Sequence, residues 1–390
     1  MLRHWDGRAF GDVLATYGLA GVDEAPFPND GWSGARLTRL VRPDDGAAFI
    51  VKRSSWALDW IARSTRDHAL REGFVAATPM PLPHPLVAPY LGAGAEGTTL
   101  GLVMPDLSGR LLEWELGAAP LDTATLDRCL AAIAGLHAAP WPVADLADSA
   151  HAWPAAPPAE RLVLLGPSSA TRLAASGPGA AEAAGARFRA GWAAFRRRAP
   201  ASAWDLVASL DGDPHPLVQV LGRLPAVGLH GDLKLGNLAP LPDGRVAAID
   251  WQLTMLAPVA VELGWFLVVN SGVLPESAEA TLARYRSAVD AVAGRASAPS
   301  PAYDPARIYP ADALAAVFGV APGARARTAD EVLGDWPLQL DVTWIVGLLL
   351  RGWRKGFDAE AGTTLGSGIP ATDDLAWWCD RAVDAAKRRL

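Results

Sequence analysis

A chain of 390 residues, 51% hydrophobic and 20% charged with 16 Trp, can bury a large core, which excludes a disordered or solvating protein and favours two lobes over one small unit. A formal net charge of -7 excludes any general attraction to nucleic acid or an anionic membrane, both of which need concentrated Lys and Arg. The two cysteines, Cys129 and Cys379, form no CxxC pair, the N-terminus has no apolar signal core, and the longest apolar run, 342–350, is about half a membrane span, so a soluble cytoplasmic protein in a reducing compartment is expected.

Residues 35–41 and 47–53 read as strands around an Asp44-Asp45-Gly46 turn, which predicts a hairpin. From 57 to 77 the strand pattern gives way to mixed charged and apolar positions ending before Pro79, and one or two helices are expected. Strand character returns at 98–104. Pro105-Asp106-Leu107-Ser108-Gly109 has turn composition and divides this strand-rich part from a long helical remainder. The boundary therefore falls there, giving a nucleotide-binding lobe over 1–105 and a catalytic, substrate-binding lobe over 106–390. Leu126, Leu130, Ile133 and Leu136 predict a helix over 122–138, while 154–160 and 174–181 read as connections. Phe188, Trp192 and Phe195 share one face of a further helix, a core-contact pattern, and Arg196-Arg197-Arg198 suits its C-terminal turn. Later helices are expected at 259–269, 276–293, 310–318, 340–355 and 372–388, with no repeat or heptad.

The chemistry concentrates in His230-Gly231-Asp232-Leu233-Lys234-Leu235-Gly236-Asn237, followed after a Pro242-Asp243-Gly244 turn by Val246-Ala247-Ala248-Ile249-Asp250. Asp232, among turn formers, can accept a hydroxyl proton in phosphoryl transfer. Asn237 can offer an amide oxygen to Mg²⁺, and Asp250, at the end of a short strand, can bridge the metal and the nucleotide phosphates. Singly, each has an ordinary structural explanation as a cap, a turn former or a surface group; the combination points to a kinase. His230 suits holding the loop from a buried position, and Lys234 can reach the transferred phosphate as a point charge.

Together with Ile249-Asp250-Trp251, the segment His230 to Asn237 resembles the catalytic loop and metal-binding segment of the aminoglycoside phosphotransferase and choline kinase-like family, small-molecule kinases on the protein-kinase fold. The likeness extends more weakly over about residues 25–270. It implies an α+β bilobal fold, with a small antiparallel-sheet N-terminal lobe and a large mainly helical C-terminal lobe, and ATP and Mg²⁺ as cofactors. By resemblance Asp232 matches the family's catalytic Asp, Asn237 its metal-binding Asn and Asp250 its metal-binding Asp, with Trp251 where protein kinases place Phe. Glu262 stands where Asp is commoner and is taken as support for the loop. Lys52, ending Phe49-Ile50-Val51-Lys52, is the expected phosphate clamp and Glu72 its partner, with Asp67 as competitor.

Gly31, Ser33 and Gly34 precede the first strands and can present backbone N–H groups to phosphates, although they do not form G-x-G-x-x-G. Met104 lies in a segment resembling the hinge that reads adenine. No long activation segment follows Asp250, which favours a small-molecule hydroxyl acceptor (sugar, aminoglycoside, cyclitol or amino alcohol) over the alternatives of a protein kinase or an inactive nucleotide-binding scaffold. Trp265, Trp336, Trp344, Trp353, Trp377 and Trp378 either line an acceptor pocket or pack the core. Asp335, Asp341, Asp358, Asp373 and Asp374 either bind hydroxyls and amines or lie solvated. Oligomeric state is unmarked.

Overall fold

Short apolar runs in the first hundred residues, buried on both faces in the central strands, build a five-stranded antiparallel sheet in the computed structural model, which describes residues 5, 7–28, 31–77, 86–115, 118–140, 155–177, 179–293 and 325–390. In chain order the strands of this part are β1 (Ala25–Pro26), β2 (Arg36–Val41), β3 (Ala48–Ser54), β4 (Leu86–Val87), β5 (Gly92–Glu96) and β6 (Thr99–Pro105). The sheet order is β1-β2-β3-β6-β5, and β4 belongs to a different sheet. The β2–β3 hairpin turns at Gly46, whose φ of 71° favours glycine.

Register decides what each face of β3 meets. Leu40, Phe49, Val51 and Val103 pack on Phe10 and Val13 of the helix Phe10–Thr16. On the other face Ile50, Leu100, Leu102 and Met104 join the main core with Trp60, Phe74 and Tyr90. Lys52, two residues from Ile50 and paired with Leu102, shares this second face. The expected helical stretch 57–77 is two short helices. Trp60–Ser64 is capped by Asp59, and Arg71–Ala77 begins where the Asp67 carboxylate accepts the Arg71 N–H.

The remainder is mainly helical. Thr123–Ala138, capped by Asp122, and Val259–Asn270, buried at every position, flank the polar loops. The 25-residue helix Trp336–Glu360 packs against Ala180–Arg198, Val259–Asn270 and the C-terminal Ala371–Arg389. Its approach to Val259–Asn270 needs glycine, because a Cβ on Gly264 would lie 2.6 Å from the Thr343 carbonyl oxygen. Four short strands carry the polar segment: β7 (Val227–Leu229) pairs with β10 (Met255–Ala257), and β9 (Val246–Ala248) lies between β4 and β8 (Leu238–Pro240).

Several expectations change. The connection expected over 154–160 gives way to a helix, Pro158–Val163, because Pro157-Pro158 supplies proline where a first turn tolerates it. The helix expected over 340–355 starts earlier, behind the Asp335 cap and Pro337, and runs to Glu360. Helices Pro167–Ala174, Ala201–Gly212, His215–Leu221 and Ala329–Leu333 add to those expected, and the expected helix at 310–318 lies outside the described residues. Cys129 and Cys379 are buried and free. Among the described residues no helix is long and apolar enough to cross a membrane.

Candidate active site

Lys52 is 7% exposed, and its ammonium lies 2.7 Å from Glu72 Oε2 and 2.7 Å from Asp250 Oδ1. Three elements thus meet at one cation: β3, the helix Arg71–Ala77 and the turn after β9. Burial alone would push Lys52 down, but the Asp250 and Glu72 carboxylates outweigh it and hold its pKa above the ordinary value. Burial pushes the Glu72 carboxyl up, with Lys52 opposing. At Asp250 burial acts upward, and Lys52, with Lys234 and His230, overcomes it, leaving the carboxyl below the usual range. The Tyr90 hydroxyl donates to Glu72 Oε1 at 2.6 Å and accepts the backbone N–H of Asp250 at 3.2 Å, tying the acid on the helix to the turn. Asp67 does not compete for Lys52; its carboxylate accepts the Arg71 N–H at 2.8 and 2.9 Å and lies 3.5 Å from the Arg71 guanidinium.

Between β7 and β8 side chains from distant elements clamp the chain through its backbone groups. Gly231 has φ 84°, and a Cβ there would fall 1.9 Å from the Leu253 carbonyl oxygen, so no other residue fits. Glu262 accepts the N–H of Gly231 at 2.6 Å and of His230 at 3.2 Å, while Arg161 donates twice to the Gly231 carbonyl, at 3.1 and 3.0 Å. Behind Glu262 lies a buried relay: His137 Nε2 is 2.9 Å from its carboxylate and His137 Nδ1 is 2.7 Å from the Tyr285 hydroxyl. The His230 ring bridges the two polar turns. Nδ1 accepts the Asp232 N–H at 3.3 Å, so Nε2 is the nitrogen that donates to the Ile249 carbonyl at 2.9 Å.

Asp232 stands half-buried with Asn237 against it, the Asn237 amide donating to the Asp232 carbonyl at 2.8 Å and to its carboxylate at 3.2 Å. That orientation leaves Asn237 Oδ1 without a hydrogen bond among the described residues. Asp250, in the left-handed region at φ 67° and ψ 58°, meets Lys52 through Oδ1, and its Oδ2 likewise has no hydrogen bond among the described residues. A free amide oxygen and a free carboxylate oxygen are the donor types that a hard divalent cation takes, so the pair fits Mg²⁺. Among the described residues no cluster of three or more His, Cys, Asp or Glu forms a separate metal site.

The other expected contributors are less converged. Lys234 Nζ lies over the Trp114 ring, 4.8 Å from its centroid. Gly31 is exposed; Ser33 is buried, with its hydroxyl turned back to the Ala35 N–H at 3.3 Å; Gly34 has φ 95°. This β1–β2 connection is anchored away from the strands, with Trp32 packed 5.4 Å from Phe188 and 5.7 Å from Trp353. The Met104 side chain is buried in the core opposite Ile50.

Residues 25–307 match the profile of the phosphotransferase enzyme family. The chain belongs to that family. Among solved structures, choline kinase LicA from Streptococcus pneumoniae aligns at 11% identity and TM-score 0.43 over 96% of this chain and 98% of its own. Ethanolamine kinase from Plasmodium vivax aligns at 11% and 0.44 over 97% and 84%, and an aminoglycoside phosphotransferase from Alicyclobacillus acidocaldarius at 14% and 0.35 over 96% and 92%. No curated protein matches. The chain has the bilobal protein-kinase-like fold, with its small antiparallel sheet followed by the large helical part.

Two sets of expected acceptor residues separate in this chain. Trp344, Trp377 and Trp378 pack on one another, and Trp336 stacks with Tyr285. Trp265 and Trp353 instead flank arginines, Arg161 and Arg351. Four of the five acidic residues are engaged elsewhere, and the fifth, Asp373, is exposed in the first turn of the C-terminal helix. Asp335 caps a helix, Asp341 binds Arg388 and Arg389, Asp358 binds Arg354, and Asp374 binds Lys355. Tyr90, His137, Arg161, Tyr285 and Arg351 escape the sequence reading because each arrives from a distant element with no motif around it.

Proposed function

We propose that the chain transfers the γ-phosphate of ATP to a hydroxyl of a small molecule. The observation that carries this reading is the convergence on Lys52 of Glu72 and of Asp250, 198 residues away, beside a loop in which Asn237 braces Asp232. Lys52 holds the α- and β-phosphates, and Glu72 fixes its ammonium. Asp232 orients the acceptor hydroxyl and takes its proton as the acceptor oxygen bonds to the γ-phosphorus and the bond to the ADP oxygen breaks. His230 holds the loop, and Lys234 meets the transferred phosphate. The β1–β2 connection with Gly31, Ser33 and Gly34 is docked through Trp32 on Phe188 and Trp353, and Met104 is buried in the core, so this reading gives neither a nucleotide contact. Asn237 and Asp250 hold Mg²⁺, which when bound neutralises phosphate charge.

The test is Mg-ATP turnover across sugars, sugar acids, aminoglycosides and amino alcohols, with mass detection of phosphate on the acceptor. Asp232→Ala and Asp250→Ala should each lower product formation by about 10²-fold or more. Full turnover in Asp250→Ala would sink the metal assignment. Phosphate on protein side chains would favour a protein kinase, and nucleotide binding without turnover on any acceptor an inactive scaffold.

A further inference from the structure

Arg351, on the long helix Trp336–Glu360, is 9% exposed and has neither a hydrogen bond nor an ion pair among the described residues. Its guanidinium lies 5.1 Å from the Trp353 ring centroid, 5.6 Å from that of Trp114 and 5.9 Å from that of Trp265. Arg161, 1% exposed, lies 4.9 Å from the same Trp265 ring, and its Nη1 is buried without a hydrogen-bond partner. The indole N–H groups of Trp265 and Trp353 are also buried and unbonded. Every unsatisfied group in this cluster is therefore a donor. Buried donors need acceptors, and a guanidinium needs an anion most of all.

The cluster adjoins the reacting centre. Asp232 acts electrostatically on both Arg161 and Arg351, and Trp114 carries Lys234 as well as Arg351 over its ring. Of the groups whose charge reaches Arg351, the cations Arg187 and Arg354 face it together with the carboxylates Asp232 and Asp358, and Asp358 is already paired with Arg354 at 2.9 Å. Burial pushes the Arg351 guanidinium down to about 9, with Arg354 and Arg187 adding to the push and Asp358 and Asp232 opposing it. It remains cationic at neutral pH. A cationic acceptor placed here would meet like charge, and of the two carboxylates that act on Arg351 only the proton-accepting Asp232 is unpaired among the described residues.

Resting on the kinase reading above, we propose that the phosphate acceptor is an anion: a small alcohol bearing a carboxylate or phosphate group that Arg351 binds among Trp114, Trp265 and Trp353 beside Asp232. The planar guanidinium takes either oxyanion in a forked pair of hydrogen bonds, and the indole rings cover the acceptor's apolar faces.

The experiment follows intrinsic tryptophan fluorescence of the full chain saturated with Mg-AMP-PNP during titration with D-glycerate, D-gluconate and D-glucose 6-phosphate, against glycerol, D-glucose, D-glucosamine and choline. At least one oxyanion probe should bind about tenfold or more tightly than its neutral and cationic counterparts, and Arg351→Gln should remove that preference while Arg351→Lys keeps part of it. Preference for hydroxy acids or for the phosphate ester tells which oxyanion the site takes. ADP affinity measured separately should be the same in wild type and Arg351→Gln, which separates acceptor binding from nucleotide binding. Tighter binding of glucosamine or choline, absence of saturable binding by every oxyanion probe, or an unchanged preference in folded Arg351→Gln would overturn the proposal while leaving the kinase reading standing. Absence of Mg-dependent nucleotide binding by the wild type would overturn both.

Discussion

Lys52 sits between two carboxylates of unequal standing. Glu72 is fully enclosed and bonded by Tyr90, whereas Asp250 keeps one oxygen free and about a third of its side chain exposed. Removing the cation leaves Glu72 and Asp250 facing each other without compensation, so the already raised Glu72 carboxyl should take up a proton. Lys52→Met is therefore expected to lower kcat/KM for ATP by about 10²-fold or more, since the phosphate contact itself is lost. Glu72→Gln keeps the side-chain length and an oxygen to accept from Lys52, so its loss should be smaller, about tenfold, and appear mainly in KM for ATP. Steady-state kinetics with ATP varied at fixed acceptor checks the order. An equal loss in both variants would mean that Glu72 contributes more than the placement of Lys52.

The helix that carries Glu72 spans only seven residues, too few to persist on its own. A buried polar network holds it. Arg71 donates to the carbonyls of Gln252 at 3.0 Å and Thr65 at 3.1 Å, Gln252 donates to Asp59 at 2.6 Å, and Asp67 accepts the first N–H of the helix. Asp67 is 2% exposed, and burial pushes its carboxyl up to about 6 against the pull of Arg71. Because this folded-state value lies above the unfolded one near 3.9, the folded protein binds the proton more tightly, and the stability from Asp67 is fully present below about pH 4. It is lost as pH rises through 6, to the extent of up to about 3 kcal/mol. Asp67→Asn abolishes that titration while retaining an oxygen for the helix N–H. Urea unfolding of both proteins between pH 4 and 7 should show the variant gaining on the wild type as pH rises; a constant difference would mean that Asp67 stays ionised throughout.

At the scale of the whole molecule, legibility follows sequence distance. Asp232 and Asn237 precede the short β8–β9 pair and Asp250 follows it, and Lys52 lies on the apolar strand β3, so local pattern suffices to bring out their positions. The bracing does not read the same way, because His137 reaches Glu262 across 125 residues and Tyr90 reaches Asp250 across 160. Strand β5, Gly92-Ala93-Gly94-Ala95-Glu96, has no β-branched or aromatic residue, and its smallness makes sense only once Phe10 is seen against it: a Cβ on Gly94 would lie 2.9 Å from the Phe10 Cα. Arg161 lies in a proline- and alanine-rich stretch with the composition of a linker, and Arg351 in an apolar helix where a lone arginine carries no pattern of its own.

One face of the sheet packs on the helix Phe10–Thr16 as a small cluster of its own, and the other shares its core with the helical part. One apolar cluster runs from Trp60 and Leu102 beneath the sheet, through Leu130 and Trp251, to Trp378 and Ala382 in the last helix. The Lys52–Asp250 ion pair adds a polar tie across the same junction. A shared core couples the two parts, so urea should unfold the chain in a single transition, with fluorescence and circular dichroism midpoints coinciding. Mg-ADP at about 100 times its dissociation constant should then stabilise the whole molecule by about 2.7 kcal/mol, moving the one midpoint upward with no change in slope. In Asp250→Ala the Mg²⁺-dependent part of that gain should disappear, because the proposed metal ligand is gone while the apolar core is untouched. Two transitions, of which only the first responds to nucleotide, would mean that the sheet melts independently and that the continuous core does not couple it to the helices.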